Sequence, residues 1–382
     1  MKFIADEAIL HVKESFGRLG KIKTMPASDI GNKNVKNADV LLVRSVTKIN
    51  ENLLRNTNIK YVGSATSGID HVDIKYLRKH RIGFAYAAGS NARAVAEYVT
   101  ACLSAICRSK GLILPGMTVG IIGAGHVGSS LAKICDILGM KIMLNDPPLA
   151  RTTKAKKYLP LEALSDADII SLHVPMTYSG RDKTYHLADD RFFKNLKDGV
   201  IFMNTSRGPV VDENALLKHI RRDKFTATVL DVWPNEPSIS TELLQRVDIG
   251  TPHIAGYSLE AKLKATTMLY KAASMLVRQS DPWSPMKILN TYAKARVKVD
   301  GLNKTAQDMA YEIIFKLYLP LHDDEQLRKI VDLPRKKQGE YFESLRKNYR
   351  IRHEFSNTEL LISNGPRKVT ALLEKLGFCI VS

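Results

Sequence analysis

The chain has 382 residues, 45% of them hydrophobic and 25% charged, with 57 Lys and Arg against 39 Asp and Glu. That length exceeds one ordinary core and predicts two or three domains, while no run approaches the roughly 18 unbroken apolar residues of a membrane span, so no membrane partner is expected. The net charge of +18 raises nucleic acid as a partner, but only +5 of it falls on residues 281–382, so the excess is diffuse, no basic arm exists, and no nucleic-acid partner is expected.

The first residues meet Asp6 and Glu7 at once and lack the apolar run of a signal peptide, so a cytoplasmic location is the expectation. Short apolar runs at 2–5, 40–43, 60–63 and 83–85 read as strands, and 7–19, 50–56 and 74–80 as the helices between them. Such alternation predicts a parallel sheet covered on both faces. Residues 91–110 read as one long helix, with Val95, Val99, Cys102, Leu103 and Ile106 at helical spacing and Gly111 as its stop.

A buried strand is expected at 118–122, running into Gly123-Ala124-Gly125-His126-Val127-Gly128, with a helix at 129–138. The first glycine permits a tight turn, the second lets backbone approach a pyrophosphate, and the third allows close helix–strand packing. The next strand, 141–145, ends at Asp146. That acid can accept hydrogen bonds from a ribose hydroxyl and repels a 2′-phosphate, so the context points to NAD over NADP. The alternative is a tight turn in an unrelated α/β domain, with Asp146 merely capping a loop. Further strands are expected at 169–173, 200–204, 227–231 and 247–250, completing a nucleotide-binding set of βα units.

Three charged or titratable residues follow these strands: Arg207, Glu236 and His253. Ligands of open α/β sheets bind outside the carboxyl ends of the strands, where these residues fall. His253 suits the task of taking a hydroxyl proton during hydride removal. Glu236 could orient its ring, and Arg207 could grip a carboxylate with two parallel hydrogen bonds. Singly, each reads as easily as a packed or surface residue.

Residues 257–279 form another long helical pattern, broken by Asp281-Pro282-Trp283-Ser284-Pro285, and a different α+β unit follows. Its stretch 335–352 carries seven basic residues and two acids, with Tyr341, Phe342 and Tyr349 interleaved, and reads as a solvated helix face rather than an anion-binding surface. Cys102, Cys107, Cys135 and Cys379 include no C-x-x-C pair and read as reduced thiols, so no metal site is expected.

The order of the glycine turn, Asp146, His173-Val174-Pro175, Asn204-Thr205-Ser206-Arg207-Gly208, Asp231-Val232-Trp233, Glu236-Pro237 and Thr251-Pro252-His253-Ile254-Ala255-Gly256 resembles the D-isomer-specific 2-hydroxyacid dehydrogenases. The resemblance implies an α/β fold of two Rossmann-like parallel-sheet lobes. These are a flavodoxin-like substrate lobe, 1–92 with 257–280, and an NAD-binding lobe, 93–256. Helices 91–110 and 257–279 would join them in a hinge that closes over substrate. It implies Arg207, Glu236 and His253 as the catalytic set. Cofactor contacts carry over onto Gly123, Gly125, His126, Val127, Gly128, Asp146, Val174, Asp231 and Gly256. Within the family the likeness extends to Val43–Lys48, Ser64–Asp73, Asp248–Tyr257 followed by Ser258-Leu259-Glu260, and Leu345-Arg346-Lys347-Asn348-Tyr349. That extension implies 4-phospho-D-erythronate as the substrate, an oxidation in vitamin B6 synthesis, and Ser45, Thr66 and Tyr257 as substrate contacts. It also implies a homodimer built by the C-terminal domain, 286–382. Arg44 and the Arg346-Lys347 patch, the latter in a partner subunit, are candidates for the phosphate. The rival readings are another dehydrogenase of the family, of phosphoglycerate or glyoxylate type, and a non-catalytic NAD-sensing interaction protein.

Overall fold

The computed structural model describes residues 1–278, 284–302, 304–364 and 367–381. They divide into two compact units: Met1–Asn91 with Ser258–Ala293, and Ala92–Tyr257 with Lys294–Ser382. No helix among the described residues is long and apolar enough to cross a membrane.

In the first unit, β1 (Lys2–Asp6), β2 (Lys21–Met25), β3 (Val40–Val43), β4 (Tyr61–Ser64) and β5 (Gly83–Tyr86) form a parallel sheet in the order β2-β1-β3-β4-β5. This is the flavodoxin-like doubly wound order. Alternate side chains serve opposite faces. Ile4, Leu41 and Val43 enter one core, while Phe3, Ala5, Val40 and Leu42 meet Phe16 and, from the helix Leu259–Leu276, Leu269 and Tyr270. Strand β2 was not expected. It lies at the sheet edge with Lys21 and Lys23 exposed, and with Thr24 three of its five residues carry no apolar signal. The helix expected over 7–19 shrinks to Val12–Phe16, because Asp6 accepts the Ala8 N–H and His11 takes a left-handed φ of 54°.

In the second unit, β6 (Thr118–Ile122), β7 (Lys141–Asn145), β8 (Ile169–Leu172), β9 (Val200–Asn204), β10 (Phe225–Leu230) and β11 (Ile249–Gly250) form a parallel sheet in the order β11-β10-β9-β8-β6-β7. The order reverses beside β6, which places a ligand crevice at the carboxyl ends of β6 and β8. A third parallel sheet, β12 (Ala295–Asp300), β13 (Thr358–Ser363) and β14 (Cys379–Val381), belongs to the same unit. Where an α+β unit was expected, these strands alternate with helices and pair in parallel. Val297, Met309, Ile313 and Leu360 share one core with Val99, Leu103 and Ile106 of the helix Ala92–Lys110, and Leu327, Ile330 and Phe342 share the other with Trp233 and Leu244. The break expected at 281–285 lies largely outside the described residues. Cys102, Cys107 and Cys135 are buried free thiols, whereas Cys379 is exposed.

Candidate active site

Each of the six strands β6–β11 is followed by a residue singled out by sequence. The glycine turn follows β6, Asp146 follows β7, His173 and Val174 follow β8, Arg207 follows β9, Asp231 and Glu236 follow β10, and His253, Gly256 and Tyr257 follow β11.

The three glycines have three separable structural reasons. Gly123 has φ +91° and lies against the His173 carbonyl, where a Cβ would come within 2.6 Å of its oxygen. Gly128 passes so close to the Gly123 carbonyl that a Cβ would sit 2.0 Å from its oxygen. A Cβ on Gly125 would meet nothing within 4 Å, so this glycine faces open space. The helix His126–Ile137 starts three residues before the expected 129, with Gly125 as a cap that offers no side chain. The first-turn N–H groups of a helix have no intrahelical partner, and here they begin at the turn itself. An open glycine, unpaired amides and a helix N-terminus are the parts that a pyrophosphate requires, so these residues fit a dinucleotide.

Asp146 does cap a helix, Pro147–Thr153, by accepting the Leu149 N–H at 2.9 Å, and its other oxygen accepts the Ala124 N–H of the glycine turn at 2.9 Å. The acid thus fixes the turn as well as ending β7. Each carboxylate oxygen keeps acceptor capacity for a sugar hydroxyl.

After β9, the Asn204 side chain closes a loop, donating to the Arg207 carbonyl and accepting from the Ser206 N–H and hydroxyl. Arg207 Nη1 donates to the Ser206 carbonyl at 2.7 Å. A Cβ on Gly208 would stand 2.0 Å from the Trp233 carbonyl, so only glycine lets the Arg207 loop lie against the loop that carries Glu236.

Glu236 is tied at both oxygens. One accepts the Trp233 N–H at 2.8 Å and the other meets His253 Nδ1 at 2.7 Å. Burial pushes its carboxyl up, but the His253 charge and hydrogen bond, the Trp233 N–H and the Arg346 charge outweigh this and hold it below the usual range. An anionic Glu236 fixes the proton of His253 on Nδ1 and leaves Nε2 as the basic nitrogen.

His253 itself has φ +57°, a left-handed conformation that a non-glycine side chain adopts only when its surroundings dictate it. Asp231 supplies part of that dictation. Its oxygens accept from the Thr251 hydroxyl at 2.6 Å, the Ile254 N–H at 2.8 Å and the Ala255 N–H at 3.0 Å. Since Thr251 spends its proton on Asp231, Tyr98 donates to Thr251 at 2.7 Å. Asp231 was expected among the cofactor contacts. In the structure it is 1% exposed and its carboxylate accepts these three bonds from the His253 loop. His173 differs from His253 in having hydroxyls rather than a carboxylate beside it, Ser171 at 2.9 Å and Thr205 at 3.1 Å, and burial pushes its pKa down to about 3. Val174 packs at the foot of the glycine turn, against the position a Gly123 Cβ would take.

In the first unit, Arg44 and the exposed Ser45 follow β3, and Thr66 follows the neighbouring β4. The Thr66 hydroxyl donates to the Gly68 carbonyl at 2.7 Å and meets Ser64, which contacts His71 at 2.8 Å. Arg346 belongs to the patch expected as a candidate for the substrate phosphate, supplied by a partner subunit. Within this chain it lies beside Tyr257, with its guanidinium 6.0 Å from the centre of that ring. The Arg352, Asp324 and Arg346 contacts to residues 250–257 were missed, because a charged residue far along the chain gives no spacing signal for what it touches.

The model of the D-isomer-specific 2-hydroxyacid dehydrogenase NAD-binding domain matches residues 86–255, and a domain of unknown function, DUF3410, matches residues 288–377. The chain is 42% identical over 361 residues to the erythronate-4-phosphate dehydrogenase of Salinibacter ruber, spanning 93% of this chain and 92% of the relative. It is 40% identical over 379 residues to the enzyme of that name from Cronobacter sakazakii, spanning 99% and 98%. Among solved structures, the Aquifex aeolicus D-lactate dehydrogenase complexed with NAD and lactic acid is similar at a TM-score of 0.63 and 26% identity, covering 73% of this chain and 96% of that one.

Proposed function

From the premise that the chain belongs to the D-isomer-specific 2-hydroxyacid dehydrogenases, we propose that it oxidises 4-phospho-D-erythronate to 3-hydroxy-2-oxo-4-phosphooxybutanoate, a step of vitamin B6 synthesis. It is an NAD-dependent dehydrogenase, and NAD, when bound, supplies the hydride acceptor.

The observation that carries the reading is the 2.7 Å contact between Glu236 and His253 Nδ1. His253 Nε2 takes the C2 hydroxyl proton as the C2 hydride leaves, and Glu236 stabilises the imidazolium that results. Arg207 grips the substrate carboxylate and draws charge toward the developing carbonyl oxygen. Gly123, Gly125, His126, Val127 and Gly128 hold the pyrophosphate, Asp146 takes the adenosine ribose, and Val174 and Gly256 line the remainder of the cofactor site. Asp231, whose carboxylate anchors the His253 loop, is assigned with them to the cofactor site. Ser45, Thr66 and Tyr257 are assigned to substrate, and Arg44, half-buried after β3, to its phosphate. Residues 1–92 with 257–280 are assigned to the substrate lobe, 93–256 to the NAD lobe, and 286–382 to a homodimer interface. A cytoplasmic location completes the proposal.

The test is NADH formation from 4-phospho-D-erythronate, 3-phosphoglycerate and D-lactate. The first should exceed D-lactate in kcat/KM by at least about tenfold, since a lost phosphate ion pair is worth roughly 1.5–3 kcal/mol, and should also exceed 3-phosphoglycerate, whose phosphate stands one carbon closer to the carboxylate. Equal rates on the acids would overturn the substrate. His253→Ala should cost about 10²- to 10⁴-fold in kcat with NAD affinity kept.

A further inference from the structure

The loop 250–257 carries His253 and Tyr257, and the C-terminal segment touches it at three places. Asp324, 6% exposed, accepts the Gly250 N–H at 2.7 Å at the loop's start. Arg328 locks that carboxylate at 2.8 Å while donating to the carbonyls of Leu244 and Val247, the two ends of the turn before β11. Arg352, also 6% exposed, donates to the Ala255 carbonyl two residues after His253, and its guanidinium lies 4.7 Å from the centre of the Tyr318 ring. At the loop's far end, Tyr349 meets the Tyr257 ring edge-on at 5.8 Å, and the Arg346 guanidinium lies 6.0 Å from the centre of the same ring.

Asp231 holds this loop from the sheet side, and these contacts hold it from the other. A left-handed His253 needs such double constraint. We propose that the C-terminal segment is a brace in cis for the catalytic loop, and that Arg346 is its positioning residue, setting Tyr257 and the Glu236–His253 pair in register for proton and hydride removal. Three features of Arg346 fit this role. Its side chain is 12% exposed, its Nη1 is fixed by Glu343 at 3.0 Å, and it lies on the helix Arg335–Lys347 whose Phe342 is fully buried in the core that holds Trp233. Its Nε is buried without a hydrogen-bond partner, so the guanidinium is held there by its surroundings rather than by full satisfaction of its own donors. Its charge also helps to keep Glu236 ionised. The match of this stretch to a domain of unknown function leaves that task unassigned.

The inference rests on the dehydrogenase reading above, and the wild-type chain tests that reading first, on whichever acid of the panel it turns over. Arg346→Met, Arg346→Lys and the exposed control Lys336→Ala are then compared as full-length proteins. The readouts are kcat, KM, NADH affinity by fluorescence quenching, and the isotope effect on kcat with substrate deuterated at C2. Misplacement by about an ångström costs on the order of 10²-fold. Arg346→Met should therefore lose about 10- to 100-fold in kcat, with NADH affinity within twofold and the isotope effect enlarged, because hydride removal becomes the slower step. Arg346→Lys should recover part of the rate, and Lys336→Ala all of it. A smaller folded fraction lowers kcat without changing the isotope effect, so that result overturns the proposal. So does a rise in KM alone, which would make Arg346 a substrate ligand, and so does kcat within twofold of wild type. Where Arg346→Met does not fold, the Arg346→Lys isotope effect decides: enlarged supports the brace and unchanged overturns it.

Discussion

His173 and His253 follow strands of the same sheet, yet their neighbours give them opposite tasks. His253 has a carboxylate at 2.7 Å and can carry a proton, whereas His173 is held between two hydroxyls and kept neutral. With a folded pKa of about 3 against 6.5 for an ordinary histidine, His173 binds its proton more readily when the chain unfolds. The unfolded state therefore gains protons first, and stability declines as pH falls from about 6.5 toward 3. At 1.36 kcal/mol per unit, the loss between pH 6.5 and 5 is at most about 2 kcal/mol. His173→Gln, which keeps a polar group between Ser171 and Thr205, should show a correspondingly smaller fall in Tm over that range. An equal fall in both proteins would remove His173 from the account. At this scale the sequence was most legible at strand ends: Arg207, Glu236 and His253 follow strands of one sheet as their spacing predicted. Least legible were the bonds by which Asp231 anchors the 251–255 loop, which depend on the pairing of β10 with β11.

The strand–turn–helix unit at 118–137 makes the three glycines experimentally separable. Adding a methyl at Gly125 meets open space, so Gly125→Ala should leave Tm within about 2 °C while weakening NAD by at least about tenfold, through steric block of the phosphate approach. At Gly128 the methyl would sit 2.0 Å from the Gly123 carbonyl oxygen, so Gly128→Ala must push helix from strand. It should lower Tm by several degrees and weaken NAD as well, since overpacking costs typically 1–3 kcal/mol. Thermal melts and NAD titrations of the two variants check this, and identical behaviour would contradict the separation of roles. The element was readable because its glycines, its apolar strand and the acid after β7 agree. The expected helix start at 129 was late because Gly128 looks like turn chemistry, although here glycine is needed inside the first helical turn for packing. Strand β2 was hidden by Lys21 and Lys23, and the helix at 7–19 was overextended because the left-handed backbone at His11 leaves no mark on a hydrophobic pattern.

For the whole molecule, what matters is which segments share a core. Among the described residues, both cores of the first unit are made from its own side chains. Those of the second unit mix the nucleotide-binding sheet with residues 297–378: Val297, Met309, Ile313, Leu360 and Leu373 in one, Leu327, Ile330 and Phe342 in the other. Each such side chain contributes roughly 1.5–3 kcal/mol by burial, an upper estimate. Together, at about 12–24 kcal/mol, they are as large as the 5–15 kcal/mol that separates a typical domain from its unfolded state. The C-terminal segment therefore cannot be removed as an independent module, and it should melt together with the nucleotide-binding sheet. In calorimetry this predicts no more than two transitions. NAD at about 100 times its dissociation constant adds roughly 2.7 kcal/mol to the unit that binds it. For a unit of this size that raises one transition by about 5–10 °C and leaves the other in place. A chain ended at Ala293 should lose the NAD-responsive transition altogether. If that truncated chain still melted cooperatively and still responded to NAD, the shared core would not be the source of stability, and the brace on the His253 loop would lose its structural footing.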